Sequence, residues 1–223
     1  MSLEQIIELM IKSFTKILIP GLTMTVPLTI LSFTFAIIIA VLTALVQYAK
    51  IPVLKQIVRF YIWIIRGTPL LVQLYIGYFG LSSIGVKISP FTAAVLVMSL
   101  CEGAYVSETI RGSLEGVSKG QIEAGYCSGL SFVQIMQHIV LPQAFRIAFP
   151  ALGNHLISIL KETSLVSNIT VAEMFMAAQR IAGRTYQYMA LYIEVALIYL
   201  LFSTVLTWLQ RWGENKLNYY QAK

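Results

Sequence analysis

Residues 17–49 read ILIPGLTMTVPLTILSFTFAIIIAVLTALVQYA and contain no charged side chain. The run exceeds the roughly 20 residues that an α-helix needs to cross the hydrocarbon core of a bilayer. Pro20-Gly21 and Pro27 predict a kink or a late start near its beginning. The whole chain agrees with this reading. It is 57% hydrophobic and 12% charged over 223 residues, a balance that a water-soluble fold cannot bury. The same numbers exclude a disordered chain and a disulfide scaffold. The sequence has no aspartate, which removes the commonest metal-ligand and acid–base arrangements. The net charge of +6 is spread along the chain and points to lipid headgroups and cytoplasmic loops, not to nucleic acid. Cys101 and Cys127 form no C-x-x-C and read as small hydrophobes, so no metal set and no disulfide is expected.

Upstream, Leu3, Ile6, Ile7, Met10, Ile11, Phe14 and Ile17 recur at helical spacing, with Glu4, Glu8, Lys12 and Lys16 elsewhere. Residues 1–16 therefore predict an amphipathic helix, either lying in the membrane interface or packed on protein. They lack the basic start and long apolar core of a signal peptide. Downstream come four more apolar stretches: 57–81, interrupted by Arg66-Gly67-Thr68-Pro69; 88–110, carrying Glu102 and Glu108; 147–169, carrying Lys161 and Glu162; and 186–209, carrying Glu194. Five spans put the termini on opposite sides. One set of loops holds Lys50, Lys55, Arg59, Arg111, Lys119, Arg146, Arg211, Lys216 and Lys223; the other holds only Lys12, Lys16, Lys87, Arg180 and Arg184. The positive-inside rule makes the first set cytoplasmic, with the N-terminus outside and the C-terminus inside. Trp208, Trp212, Tyr219 and Tyr220 suit an aromatic belt at the inner interface. No internal repeat or interdomain linker is visible, so residues 1–223 form a single domain.

The stretch between the third and fourth spans is different in kind. A short helix over Gly120–Leu130 is followed by Ser131 and Gln134, spaced as a capping box. Phe132, Ile135, Met136 and Ile139 then recur at helical spacing, and Leu141-Pro142 breaks the run. Gly129 can supply the left-handed residue that ends the first helix. A helix–turn–helix knob on the cytoplasmic face can dock in a partner's groove and transmit a push. The bland alternative is a connector folded back on the bilayer.

Here the sequence resembles a family. Glu123-Ala124-Gly125, three residues, Gly129, nine residues, Ile139 and then Leu141-Pro142 is similar to the EAA loop of ATP-binding cassette importer permeases. Gly125 stands where that motif has a second alanine, and glycine costs a helix roughly 1 kcal/mol relative to alanine. Arg66-Gly67-Thr68-Pro69-Leu70 with Gln73, Ala104–Glu108 with Arg111-Gly112, Lys119-Gly120-Gln121, Leu141–Ala144, Asn154 and Lys161–Leu165 resemble the polar amino-acid branch. The resemblance covers essentially the whole chain. It implies an all-α integral membrane protein, a five-span, MetI-like type I importer domain of the bacterial inner membrane. It also implies a second permease copy, in a homodimer, ATP-hydrolysing cassette subunits on the cytoplasmic side and an extracytoplasmic substrate-binding protein. Residues 116–142 would be the coupling loop, with Gly120, Gln121, Glu123, Ala124, Gly125, Gly129 and Leu130 at the ATPase. No G-x-x-x-x-G-K-[ST] occurs, so no P-loop of this chain cradles ATP; Mg-ATP belongs to the partner. This chain has no catalytic residues and no cofactor of its own, and its expected role is passage by alternating access. The stretch Glu173–Tyr186 looks most like cystine permeases, with glutamine and glutamate as alternatives.

Ionisable groups inside spans are functional candidates. Arg66 either snorkels to the headgroups or pairs with Glu102 or Glu108, while Glu108 and Arg111 suit a helical pair. Arg66, Glu108 and Lys161 read as gate or structural residues. Asn154, Ser158 and Glu162 repeat on one helical face, which either lines a watery path or binds a neighbouring helix. His155 beside them argues against a lysine or arginine cargo. With Gln73 they make the expected substrate path. Residues 171–186, amphipathic and outside, suit a docking surface for a binding protein or an interfacial cap. An ion-coupled secondary transporter is the rival class, but it predicts inverted repeats, which are absent. A small channel would not need the knob.

Overall fold

The computed structural model describes residues 3–48 and 52–219. Lys50, Tyr220 and Lys223, used above for orientation and the aromatic belt, lie outside them, as do Met1 and Ser2. Every regular element among the described residues is a helix, and none is a strand. Helix α1 (Leu3–Pro20) runs through a π-helical turn at Gly21–Thr25 into α2 (Val26–Tyr48). Then follow α3 (Pro52–Gly67), α4 (Leu70–Tyr75), a second π turn at Ile76–Gly80, and α5 (Leu81–Ser83). The long α6 (Pro90–Glu115) leads to α7 (Lys119–Cys127), α8 (Phe132–Ile135) and a third π turn at Met136–Val140. Helix α9 (Leu141–Glu162), a 3-10 segment at Thr163–Ile169, α10 (Met174–Thr185) and α11 (Tyr188–Tyr219) complete the chain.

Three continuous helical runs are long and apolar enough to span a membrane: Glu4–Tyr48, Pro90–Glu115 and Tyr188–Leu217. The interfacial helix and first span expected as separate pieces are one helix, bulged at Gly21–Thr25. The second expected span is not straight. Helices α3 and α4 meet at 107°, because Pro69 is extended (φ −65°, ψ 139°) and supplies no backbone N–H to carry α3 onward. Helix α9, the fourth expected span, falls short on composition alone: Gln143, Arg146, Asn154 and His155 dilute it. It packs instead between α6 and α11, which shelters its polar groups. The last part of that span, Thr163–Ile169, is a 3-10 segment closed by a left-handed Thr170.

Helices α2 and α6 form the spine. Ser32, Ala36, Ala40 and Ala44, spaced four apart on α2, are completely buried. Small residues in register let two membrane helices approach closely. On α6, a Cβ at Gly103 would lie 2.8 Å from Ile39 Cγ2, so the glycine is required there. A core of Leu28, Leu74, Met98, Ile159 and Ile169 ties α2, α4, α6 and α9 together. A second core, Ile17, Met174, Ala178, Ala182, Leu191 and Ile198, fastens α1 to α10 and α11. Glu173 caps α10 by accepting from Phe175 N and Met176 N, at 2.8 and 2.7 Å, and its Oε2 accepts from Tyr199 at 2.9 Å.

Candidate functional site

The α3–α4 elbow, the middle of α6 and the second half of α9 enclose a pocket of about 330 Å³. Thr68, Pro69 and Leu70 supply one wall, Cys101, Glu102 and Tyr105 a second, and His155, Ser158 and Glu162 a third. The spacing along α9, three then four residues, explains why these side chains share a face. Glu102 is 5% exposed and bonds His155 Nδ1. His155 Nε2 in turn lies 3.0 Å from Thr109 Oγ1, a second hydrogen bond that holds the ring. One carboxylate of the pocket is thus satisfied by the protein. Glu162 makes no hydrogen bond or ion pair with the described residues.

Not all of the expected path residues meet here. Gln73 lies apart from the pocket and holds the elbow. Its Nε2 donates to Ile65 O (2.8 Å), Thr68 O (3.1 Å) and Thr68 Oγ1 (2.9 Å), offsetting carbonyls left open by the end of α3. Asn154 is turned toward α11, where Gln210 Nε2 reaches its Oδ1 at 3.5 Å. The polar face of α9 is therefore set by His155, Ser158 and Glu162, with His155 in the place expected of Asn154. Glu102, Tyr105 and Cys101 were not singled out as lining residues. The available signal was Glu102, a carboxylate in mid-span.

Arg66 does not pair with either glutamate. Its guanidinium lies 5.2 Å from the centre of the Tyr105 ring, a cation–π contact at the pocket's edge. Glu108 is bound by Arg111 at 2.8 Å and accepts from Gln47 at 3.1 Å, and Arg111 also reaches Glu115 at 2.8 Å. These groups line a wider cleft of about 1080 Å³, together with Lys55, Arg59, Trp63 and Lys119. Lys161 points away from the pocket, into a separate groove with Phe175 and Tyr199.

The knob takes the helix–turn–helix form read from its residues. Ser131 and Gln134 form a reciprocal capping box, with Gln134 Oε1 accepting from Ser131 N at 2.9 Å. Gly129 is left-handed (φ 77°), and Leu130 N donates to Gly125 O at 3.1 Å. Gly125 is buried where the two helices touch: a Cβ there would lie 2.9 Å from Ile135 Cγ1 and 3.1 Å from Ile139 Cδ1. Glycine permits this close approach. Gly120, Gln121, Glu123 and Ala124 are exposed and Leu130 is half-buried. Gln121 is bonded by Gln143 of α9, so the knob is braced against the helix that follows it. Tyr126, Phe132 and Val133 are each more than half exposed, so the knob carries an uncovered apolar surface.

Long apolar helices packed around a polar pocket, with a helix–turn–helix knob braced against α9, have the build of a membrane transport subunit. Residues 36–219 match the family of binding-protein-dependent transport system inner membrane components, and the chain belongs to it. It is 45% identical over 217 residues to the L-cystine transport system permease protein TcyB of Bacillus subtilis (strain 168), covering 97% of this chain and 93% of that protein. A solved amino acid ABC transporter with histidines superposes with a TM-score of 0.86 at 37% identity, over 92% of this chain and 96% of that one. The MetNI methionine ABC transporter shares the fold, with a TM-score of 0.75 at 18% identity over 90% of this chain and 96% of that one. The protein is a non-catalytic, multi-pass permease subunit of an amino-acid ABC importer of the inner membrane.

Proposed function

We propose that this permease passes a polar L-amino acid, cystine by preference, through the pocket between the elbow, α6 and α9. The observation that carries the reading is Glu162, a pocket carboxylate with no hydrogen bond or ion pair from the side chains of the described residues. It suits the α-ammonium group of an amino acid, while Ser158 offers a neutral donor and acceptor. His155 is committed to Glu102, which leaves one open carboxylate. The likeness to TcyB supports cystine; glutamine and glutamate are the alternative cargoes.

Transport is powered from outside the chain. ATP-binding cassette subunits carrying Mg-ATP dock on residues 116–142 through Gly120, Gln121, Glu123, Ala124, Gly125, Gly129 and Leu130. Their closure drives two permease copies, a homodimer, between outward and inward access. Arg66 and Glu108 lie between the pocket and the cytoplasm and serve as inner-gate elements, and Lys161 serves a structural role on the other side of α9. A soluble binding protein delivers cargo to the outer face near α10. The N-terminus faces out, α1 turns its exposed Ile7, Ile11 and Phe14 toward lipid, and the C-terminus is cytoplasmic. The test is competition uptake in cells carrying the complete transporter, with radiolabelled cystine against unlabelled cystine, glutamine, glutamate, arginine and lysine. Cystine alone should compete efficiently at low concentration, and Glu162→Gln should lose uptake while the complex still assembles. Equal competition by all five amino acids, or normal uptake by Glu162→Gln, overturns the assignment.

A further inference from the structure

A second carboxylate lies far from the pocket, and transport leaves it unexplained. Glu194 on α11 is 4% exposed. Its Oε2 accepts from Ser13 Oγ at 2.6 Å, which pins α11 to α1. Its Oε1 is buried and has no partner among the described residues. A buried carboxylate oxygen without a donor is strongly unfavourable, so this atom calls for a ligand.

The space beside it is suitable. A groove of about 400 Å³ runs between α1 and α11, lined by Met10, Ile11, Phe14, Leu197, Ile198 and Leu201 around Glu194. It shares no residue with the substrate pocket. Ile11, Phe14, Leu197 and Leu201 are between 42% and 70% exposed, so the groove opens sideways onto hydrocarbon. Its depth is marked twice. The exposed Glu8–Lys12 ion pair is not compatible with the hydrocarbon interior and precedes Ser13 directly. Tyr188 and Tyr192 on α11, both exposed, are interfacial residue types within two turns of Glu194. The carboxylate thus sits just inside the headgroup region.

We propose that this groove is a binding site for a phospholipid with a primary ammonium headgroup. The ammonium donates to Glu194 Oε1, and an acyl chain lies along Ile11, Phe14, Leu197 and Leu201. No cation among the described residues lines the groove, so a phosphate or carboxylate headgroup alone finds no partner among them. A primary ammonium supplies both the charge and the N–H donor that the orphaned oxygen lacks. Bound lipid would clamp α1 to α11 beside the α10 surface, independently of the cargo.

The experiment uses the intact transporter, permease with its ATPase, delipidated in mild detergent. Phosphatidylethanolamine, phosphatidylcholine, phosphatidylglycerol and free ethanolamine are added separately, and retained lipid is counted by native mass spectrometry beside thermal stability. Phosphatidylethanolamine should be retained roughly tenfold better than phosphatidylcholine, whose headgroup keeps the charge but has no N–H to donate. Free ethanolamine should have no effect. Glu194→Gln should remove that preference. Leu197→Trp, which fills the groove and leaves the carboxylate in place, should also remove it. Equal retention of the two zwitterionic lipids by the wild type, stronger retention of phosphatidylglycerol, or an unchanged preference in a folded Leu197→Trp complex overturns the proposal.

Discussion

Gly125→Val puts the coupling role of the knob to a quantitative test. A Cβ at 125 meets Ile135 Cγ1 at 2.9 Å and Ile139 Cδ1 at 3.1 Å, well inside the roughly 3.5–4.0 Å at which carbons attract. Ile135 is 1% exposed and has no room to turn aside. Overpacking of this kind costs about 1–3 kcal/mol. Alanine at 125 offsets much of that by the roughly 1 kcal/mol it gains over glycine in a helix, so Gly125→Ala should be close to neutral. Valine adds two further methyl groups against the same wall, and the clash wins by about 2 kcal/mol. That is roughly a thirtyfold shift away from the packed knob. The assay is uptake per ATP hydrolysed, measured in proteoliposomes with substrate-loaded binding protein. Gly125→Val should lower this ratio while membrane insertion remains intact. Ile135→Ala opens the space that valine needs, so the double variant should couple better than Gly125→Val alone. A wild-type ratio in Gly125→Val, or no rescue in the double variant, refutes close helix packing as the basis of the lever.

Further expectations follow from the same geometry. Glu123→Arg reverses charge on the exposed face of the knob and should abolish ATP-driven uptake without loss of folded permease; normal uptake would count against docking there. Asn154→Leu loses only a long contact to Gln210, so it should change uptake less than twofold (on the order of 0.5 kcal/mol), whereas Ser158→Leu, which fills the pocket, should block it. Gln73→Leu frees three acceptors at the elbow and should lower the melting temperature of the complex by an amount equivalent to about 1–3 kcal/mol. Ala40→Leu forces α2 away from α6 and should destabilise the complex by at least as much, because an empty space for the side chain does not exist at a completely buried site.

Membrane residence and the form of the knob are legible along the chain, because each depends on local pattern. An uncharged run longer than the bilayer, a capping box and a glycine at a turn act over a few residues, and the structure repeats them at Ser131, Gln134 and Gly129. Which polar side chains meet depends on rotation about each helix and on which helices become neighbours, and neither is encoded locally. Asn154 and His155 adjoin in sequence, yet about 100° of helical rotation sends one to Gln210 and the other to Glu102. Gln73 looked equally fit for a path until the elbow at Pro69 gave its amide three carbonyl and hydroxyl partners. The close contact that makes Gly125 suitable is equally invisible in a list of residues. The chain's own order settles where hydrocarbon and water lie, since hydrophobicity sums along a segment. The pairing of Glu102 with His155, and the isolation of Glu162 and of one oxygen of Glu194, exist only once α1, α6, α9 and α11 pack side by side, since a hydrogen bond is made or lost over less than an ångström.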